Sequence, residues 1–363
     1  MAEMTGSPGP NEREVLDVAS NVTSLDPAAE ARAWMRLDSL TKPPRSLGRL
    51  EGLAARISAV QNDVRPAGGP SAIVCCAADH GVLAEGVSAY PQSVTAQMVA
   101  NLGAGGAAVN QLASHVGARV VVCDVGVASD TSAIAGVVQA KVRPGTSNMA
   151  QGPAMTREDA CAAVLAGARI ATGLATEGVR FIGTGEMGIG NTTAASALLV
   201  ALTGARLQSV VGRGTGLDDE GLARKCAVIE RALAVNGPDA SDPVGALSAV
   251  GGLEIAAMAG VVIGAAAGGA CAVTDGFISS VAALVAVRIC PASAEYLFPS
   301  HLSVEPGHRA ALSALELEPV LELDMRLGEG TGAALAIGLM GAACAMMSGM
   351  ATFAEAGVSG ADG

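Results

Sequence analysis

The chain has 363 residues, of which 50% are apolar and 15% charged, and its formal net charge is −12. This composition excludes a disordered chain and is sufficient for a sizeable core in one large α/β unit or a few smaller domains. The acidic balance argues against nucleic acid or an anionic membrane surface as a partner.

Short apolar runs alternate along the chain with helical stretches of small residues. This order predicts an α/β fold in which a parallel sheet is covered by helices on both faces. Ligands of such sheets bind beyond the carboxyl ends of the strands. Strands are predicted at 72–78, 119–125, 179–183, 270–274 and 295–298. Helices are predicted at 26–38, 47–61, 93–115, 156–177, 191–203, 218–235, 244–268, 276–288, 305–314 and 331–350.

Polar residues stand at or just beyond the ends of the predicted strands. If the sheet is parallel, these residues meet at one edge, where a site is expected. They are Asp79 and His80, Asp124, Thr184 to Glu186, Asp275, and Ser300 to Ser303.

The segment GTGEMGIGNTT, 183–193, has the spacing of a GxGxxG motif between a strand and a helix. A dinucleotide site also needs an acidic residue about 20 positions further on, and none is present there. Glu186 would in addition repel a pyrophosphate. We therefore expect a single phosphate or a ribose here, with the helix N-terminus at Asn191 and Thr192 favouring an anion. An ordinary tight turn remains the alternative.

Two further glycine clusters carry charged residues. In GRGTGLDDEGLARK, 212–225, Lys225 is either an anion-binding group or part of a solvated helix face. In LDMRLGEGTGAALAIG, 323–338, Glu329 precedes a long uncharged helix. Burial there would raise its pKa toward the range useful for a general base, whereas a helix N-terminus would lower it. The alternative is that Glu329 is not a general base and that its negative charge only interacts favourably with the N-terminal end of the helix dipole.

The cysteines and the N-terminus bear on the cellular compartment. The eight cysteines form no CxxC pair and no Cys/His cluster with metal-ligand spacing. We expect buried free thiols in a reducing cytoplasm and no metal site. The N-terminal residues lack the basic and apolar segments of a signal peptide, so residues 1–25 are predicted to form a flexible tail.

Two uncharged stretches, 255–274 and 330–354, are long enough to cross a bilayer. They lack aromatic belts, and acidic residues rather than cationic anchors flank them. We interpret both as helical segments of a protein core and predict no membrane span.

A set of motifs, in order from about residue 40 to 340, resembles the nicotinate-nucleotide–dimethylbenzimidazole phosphoribosyltransferases. The resemblance implies a Rossmann-like parallel sheet with flanking helices. It also implies that the protein is a homodimer and that its reaction needs no cofactor. It also implies a large α/β catalytic domain over 71–330 and a small helical domain from 26–70 and 331–363. The motifs are KPPRSLGRLE (42–51), ADHGVLAEGVSAYPQSVTAQMV (78–99), GTSNM (145–149), GTGEMGIGNTTAAS (183–196), GRGTGLDDEGL (212–222), GGLEIAAMAG (251–260), TDGFISS (274–280), HLSVEPGH (301–308) and LDMRLGEGTGAALA (323–336).

The resemblance implies transfer of a phosphoribosyl group from nicotinate mononucleotide to 5,6-dimethylbenzimidazole. Glu329 matches the family's general base, and Glu186 would lie beside the donor ribose. Tyr90, Met98, Met187 and Leu327 would line a flat apolar slot for the base. The remaining substrate-binding residues implied by the resemblance are Gly188, Gly190, Asn191, Thr192, Gly214, Lys225, Asp275 and Ser303.

Two departures from the family pattern affect these expectations. The family usually reads KPPGSLG, whereas Arg45 occupies the glycine position here, so the resemblance leaves the conformation of this loop open but not the chemistry. Tyr90 and Met98 stand at positions that vary in the family, which leaves another benzimidazole, adenine or a phenol open as the acceptor. A non-catalytic nucleotide sensor and an NAD-linked oxidoreductase are the alternative functions.

Overall fold

The computed structural model describes residues 8–359 and contains a central sheet of six parallel strands. The strand order is β3-β2-β1-β4-β5-β6, with a separate two-stranded parallel sheet, β7-β8. This order confirms the predicted Rossmann-like α/β fold. The strands are β1 Ser71–Ala78, β2 Ala118–Gly126, β3 Val137–Gln139, β4 Phe181–Met187, β5 Cys271–Thr274, β6 Leu297–Pro299, β7 His301–Leu302 and β8 Leu321–Glu322.

Helices cover the sheet, as the alternating pattern predicts. Two short 3-10 helices, Gly81–Glu85 and Pro291–Tyr296, complete the connections. The α-helices are α1 Pro10–Ser20, α2 Pro27–Ser39, α3 Arg49–Gln61, α4 Ser93–Gly103, α5 Ala108–His115, α6 Arg157–Thr176, α7 Asn191–Thr203, α8 Leu207–Val210, α9 Asp219–Asn236, α10 Pro243–Val250, α11 Leu253–Ala267, α12 Phe277–Ile289, α13 Gly307–Ala314, α14 Thr331–Gly349 and α15 Phe353–Ala356.

Strand β1 lies at the centre of the sheet, and every one of its residues is buried. Its register begins with Ser71, which pairs with Ala118 on one side and Phe181 on the other. The strand order reverses between β1 and β4, so the helices that follow these strands diverge and leave a crevice at their carboxyl ends. The fold therefore places the ends of β1 and β4 at the expected ligand-binding edge.

The prediction of a flexible tail over 1–25 is wrong for residues 10–20, which form α1. Val15 of this helix is buried, and α1 packs against α6 and α11. Arg157 joins α6 to α1 through an ion pair of 2.5 Å with Glu12. The sequence of α1 has few apolar residues, so its order depends on these contacts. Residues 1–7 lie outside the described part of the chain.

Glycines divide two of the predicted helices. The segment 93–115 forms α4 and α5, and Gly105 between them adopts a left-handed φ of 80°. The segment 244–268 forms α10 and α11, separated by two glycines. Strand β4 differs in the opposite sense, because it continues past residue 183 to Met187 and thus includes Glu186.

Helix α14 is, within residues 8–359, the one helix that is long and apolar enough to cross a membrane. Half of the most apolar 18-residue stretch of α14 is buried, and the helix packs against α3, α5 and β4. The other uncharged stretch, 255–274, is divided between the buried helix α11 and strand β5.

The two-domain division stays a prediction. Helices α2, α3 and α14 contact one another, as a small domain built from 26–70 and 331–363 would require. Helix α14 also packs directly on β4 and β5 of the sheet. Residues 360–363 lie outside the described part of the chain.

Candidate active site

A cavity of about 510 Å³ opens at the carboxyl ends of β4, β5 and β6, the edge at which such sheets bind ligands. All of the predicted site residues except Gly190 and Lys225 line it. The lining residues are Tyr90, Val94, Met98, Glu186, Met187, Gly188, Ile189, Asn191, Thr192, Gly214, Thr215, Asp275, Gly276, Phe277, Ile278, Ser279, His301, Ser303, Glu305, Arg326, Leu327, Gly328 and Glu329.

Glu186 lines the cavity from the carboxyl end of β4. Its side chain is buried, and its carboxylate accepts a hydrogen bond from Nδ2 of Asn191. Burial raises the pKa of Glu186 to about 8, and the charges of Asp275 and Glu254 act in the same direction. Near neutral pH the carboxyl group is therefore mostly protonated and can donate as well as accept a hydrogen bond.

Glu329 lies in a strained turn just before α14. Its φ is 63°, and the glycines on either side have φ values of 87° and 98°. A left-handed conformation at a residue other than glycine costs of order 1–3 kcal/mol, so surrounding contacts must hold it. The side chain is 5% exposed, and its Oε2 accepts the Val109 N–H at 3.3 Å. Burial raises the pKa of Glu329, and the hydrogen bond from Val109 opposes this rise.

Glycines allow the two segments that carry these glutamates to lie against each other. A Cβ atom added to Gly185 would overlap the carbonyl oxygen of Glu329. In the same way, a Cβ atom added to Gly328 would overlap Oε1 of Glu186. The close approach of the two segments therefore requires glycine at position 185, where the overlap is with backbone, and the left-handed φ of 87° favours glycine at position 328.

Asp275, which follows β5, fixes the start of α14. Its Oδ1 accepts the N–H groups of Gly332 at 2.6 Å and Ala333 at 3.2 Å, while Oδ2 accepts that of Gly330 at 3.1 Å. Burial raises the pKa of Asp275 to about 7, although these hydrogen bonds lower it. Its carboxylate thus holds the backbone directly after Glu329, a role that the sequence does not predict.

The N-terminus of α7 faces the cavity through Asn191 and Thr192. The turn before it contains Gly190, whose φ is 98°, and the Ile189 N–H donates to Oγ1 of Thr95 at 3.2 Å. Gly190 is part of this turn but does not line the cavity. The positive end of the helix dipole makes this wall suitable for an anion.

Lys225 lies behind the cavity wall rather than in it. The side chain is fully buried, and Nζ donates to Oγ1 of Thr192 at 2.9 Å and to the Gly212 carbonyl at 3.1 Å. Burial lowers the pKa of Lys225 to about 8, and the charge of Glu305 opposes this shift. Its positive charge acts on the cavity through Thr192.

The apolar side of the cavity combines the four predicted slot residues with others that the sequence does not single out. Tyr90 and Leu327 are 53% and 58% exposed and lie at the mouth, whereas Met98 and Met187 are partly buried. Further apolar lining residues are Val94, Ile189, Phe277 and Ile278.

Sequence reasoning misses Arg326, which lines the cavity, and His308, which contacts the lining residue Ser303. Arg326 lines the cavity, and its Nη1 lies 3.4 Å from the carbonyl oxygen of Gly214. His308 accepts the Ser303 N–H at Nδ1 (2.8 Å), so Nε2 carries the proton and donates to Ser280. Arg326 lies in the motif LDMRLGEGTG and His308 in HLSVEPGH, so their place in these motifs could have identified them.

Metal ligation finds no support among the described residues. In residues 8–359, no group of three or more His, Cys, Asp or Glu side chains is arranged to hold a metal ion.

Comparison with known proteins connects this site to one enzyme family. A family model described as phosphoribosyltransferase matches residues 22–358. A protein of Geobacter metallireducens, named nicotinate-nucleotide–dimethylbenzimidazole phosphoribosyltransferase, is 52% identical over 344 residues, which is 95% of this chain and 98% of that protein. A protein of Desulforudis audaxviator with the same name is 52% identical and covers 92% of this chain and 95% of its own length.

A solved structure agrees with this relationship. The crystal structure of CobT from Thermus thermophilus superposes with a TM-score of 0.88 at 51% identity, covering 92% of this chain and 99% of that one. The relatives confirm the transferase hypothesis and argue against the NAD-linked oxidoreductase. The chain belongs to the nicotinate-nucleotide–dimethylbenzimidazole phosphoribosyltransferase family.

Proposed function

We propose that the chain transfers the 5-phosphoribosyl group of nicotinate mononucleotide to 5,6-dimethylbenzimidazole, giving α-ribazole 5′-phosphate and nicotinate. The names of its close relatives support this substrate pair. The observation that carries the proposal is Glu329, a buried carboxylate held at a cavity that has an anion-binding wall and an apolar wall.

In this mechanism Glu329 is the general base. It takes the proton from one nitrogen of the benzimidazole while the other nitrogen attacks C1′ of the ribose. The bond from C1′ to the nicotinate nitrogen breaks, and its electron pair neutralises the cationic ring. Attack from the face opposite nicotinate inverts the configuration from β to α. Burial of Glu329 supports this role because it raises the pKa, and with it the proton affinity, of the carboxylate.

The donor would lie along β4 and α7. Its phosphate fits the N-terminus of α7 beside Gly188, Asn191 and Gly214, with the charge of Lys225 acting through Thr192. Glu186 would bind the ribose hydroxyls. Holding both reactants in line recovers much of the barrier through orientation alone.

The acceptor would occupy the apolar slot formed by Tyr90, Met98, Met187 and Leu327. A flat aromatic base suits such walls because it is desolvated without leaving polar groups unpaired. Assays with benzimidazole, 5,6-dimethylbenzimidazole, adenine and a phenol determine which base the slot prefers.

The outward side of α14 supports a homodimer. Leu339, Ala342 and Ala345 are exposed there, and the helix carries no charged residue. Apolar faces of this kind commonly pack against a partner. Sedimentation velocity at micromolar concentration tests this, and a monomer would contradict it.

A cytoplasmic location is also proposed. All eight cysteines are free, and all except Cys226 are buried. Unpaired thiols are typical of a reducing compartment. Imaging of a fluorescent fusion tests the location.

The activity is tested by mixing the protein with both substrates and separating the products by chromatography. Glu329→Gln keeps the shape of the side chain but removes the base, so kcat should fall by about 10²–10⁴-fold. Glu318→Gln, outside the cavity, is the matched control and should retain parent activity. Turnover of Glu329→Gln at the parent rate would remove this residue from the mechanism.

The non-catalytic sensor makes a different prediction in the same assay. A sensor would bind nicotinate mononucleotide in a calorimeter but release no nicotinate when the benzimidazole is added. Release of nicotinate in proportion to α-ribazole 5′-phosphate would exclude it.

A further inference from the structure

The ADHG and GGLE motifs supply a buried pair that the proposed mechanism does not use. His80 follows β1, and Glu254 lies in the first turn of α11. Nε2 of His80 is 2.8 Å from Oε1 of Glu254, and both side chains are almost completely buried. Two polar side chains 174 positions apart are thus joined inside the protein.

The imidazole ring lies directly beneath the turn that precedes α7. A Cβ atom added to Gly188 would lie 3.4 Å from Nε2 of His80, and one added to Gly190 would lie 3.5 Å from its Cβ. On the other side of the ring, a Cβ atom added to Gly252 would overlap Cε1 of His80. The ring therefore lies between this turn, which it adjoins, and the N-terminus of α11, which it contacts closely at Gly252.

The hydrogen bond also fixes how the ring is oriented and charged. Burial alone would lower the pKa of His80, but the charge of Glu254 and its hydrogen bond raise the pKa above the ordinary value. Asp79 adds to this rise, and its Oδ2 accepts the Ala128 N–H at 2.8 Å. Nε2 therefore carries a proton and donates it toward Glu254.

We propose that His80 and Glu254 form a positioning pair that holds the Gly188–Gly190 turn, and through it the N-terminus of α7, in place for the 5′-phosphate of a nucleotide donor. The inference rests on the proposed function. Neither side chain lines the cavity, so neither is assigned contact with the substrate. Loss of the pair should weaken binding of the donor. It should change binding of the acceptor little, because the acceptor would contact the apolar wall of the cavity.

The test removes the imidazole ring of His80 and neutralises Glu254, so that no charge is left buried without a partner. In the double variant His80→Ala/Glu254→Gln, KM for nicotinate mononucleotide should rise about tenfold or more because small misplacements of binding groups are costly. KM for 5,6-dimethylbenzimidazole should change less than about twofold if donor and acceptor walls are independent. His80→Gln, which can still donate to Glu254, should recover most of the donor affinity.

The matched control is Lys42→Met/Glu51→Leu, which removes another buried ion pair whose residues do not line the cavity. It should leave both KM values at the parent level. Should the double variant His80→Ala/Glu254→Gln fail to fold, His80→Asn/Glu254→Gln tests the same contact, since asparagine is too short to bridge to residue 254, leaves a smaller cavity and leaves no charge buried alone.

An unchanged donor KM in a folded variant, or equal rises in both KM values, would overturn the positioning role. Calorimetry with nicotinate mononucleotide alone separates this result from failure of the proposed function. If the parent protein binds the donor but gives no product, the function is wrong, while loss of donor binding in the variant still supports the positioning pair.

Discussion

Two of the regions that bury carboxylates differ in whether a lysine or arginine balances the charge. Near the start of α3, the fully buried Glu51 has its Oε2 2.9 Å from Nζ of Lys42. At the cavity, Glu186, Asp275 and Glu329 are each at most 8% exposed. Among residues 8–359, no lysine or arginine lies within ion-pair distance of these three.

The two regions therefore bury charge in different ways. The Lys42–Glu51 pair compensates its own charge and can contribute to the fold. The cavity carboxylates are held only by N–H donors, and burial raises their pKa values, which destabilises their ionised forms. Uncompensated carboxylates of this kind concentrate at sites that bind or transform ligands.

The largest effect is expected from breaking the compensated pair. Lys42→Met leaves Glu51 as a lone buried charge and should lower the free energy of unfolding by about 3–5 kcal/mol. Urea denaturation measures it. Lys42→Met/Glu51→Leu should recover most of this loss, because an apolar pair of similar volume leaves no unpaired charge. A single variant as stable as the parent would show that the pair is not needed to balance Glu51.

A smaller and opposite effect is expected from Glu186→Gln. The folded-state pKa of about 8 exceeds the ordinary value of 4.5, so the folded protein keeps a proton that the unfolded chain releases between these pH values. The contribution of Glu186 to stability is therefore complete below pH 4.5 and is lost as the pH rises through 8. The variant should gain a few kcal/mol over the parent at about pH 9, measured by denaturation across pH.

Glu318→Gln controls for the charge change in this comparison, because Glu318 is exposed and lies outside the cavity. Its stability should follow the parent at every pH. If the free energy of unfolding depended on pH in the same way for the parent and Glu186→Gln, then Glu186 would ionise in the folded protein at little cost. The cavity would then not differ from the Lys42–Glu51 region in how it tolerates a buried charge.

The smallest effect is expected at Arg45, in the same loop as Lys42 but at the surface. Arg45 has a left-handed φ of 61°, which glycine tolerates better; its guanidinium lies 3.6 Å from the Trp34 ring centroid and 3.4 Å from Asp38. Arg45→Gly should relieve strain and lose two exposed contacts, so its net stability change should stay within about 1 kcal/mol. Thermal denaturation measures it.

Arg45→Ala separates the two contributions, because alanine loses the contacts and keeps the backbone strain. It should be less stable than Arg45→Gly by about 1 kcal/mol. Equal stability of the two variants would mean that the backbone at this position carries no strain. Arg45 thus occupies a backbone conformation that glycine adopts more readily.

Sequence patterns predicted the sheet and the edge where the site lies, but not the ends of several elements. Periodicity located β1 and β5 well, since continuous apolar runs bounded by polar residues are typical of buried parallel strands. It ended β4 too early, because Thr184 and Glu186 are polar yet remain in the strand. It also left α1 as a tail, because that helix is held by Arg157 and by packing rather than by its own propensity.

Glycine illustrates why part of the site was not predictable. Gly167 and Gly260 let α6 and α11 approach so closely that an added Cβ atom on either would overlap the other backbone. Gly185 does the same for the segment that carries Glu329, and a Cβ atom added to Gly328 would overlap the side chain of Glu186. The local sequence around each glycine does not reveal which distant segment it meets.

By itself, the sequence determined the fold class, the residue types at the strand ends and the family resemblance, because these depend on local periodicity and on ordered motifs. Only the tertiary structure decided that Asp275 holds the start of α14, that Lys225 acts from behind Thr192, and that His80 meets Glu254 beneath a turn. These contacts join residues far apart in the chain, and pairing across such distances depends on how the strands and helices pack.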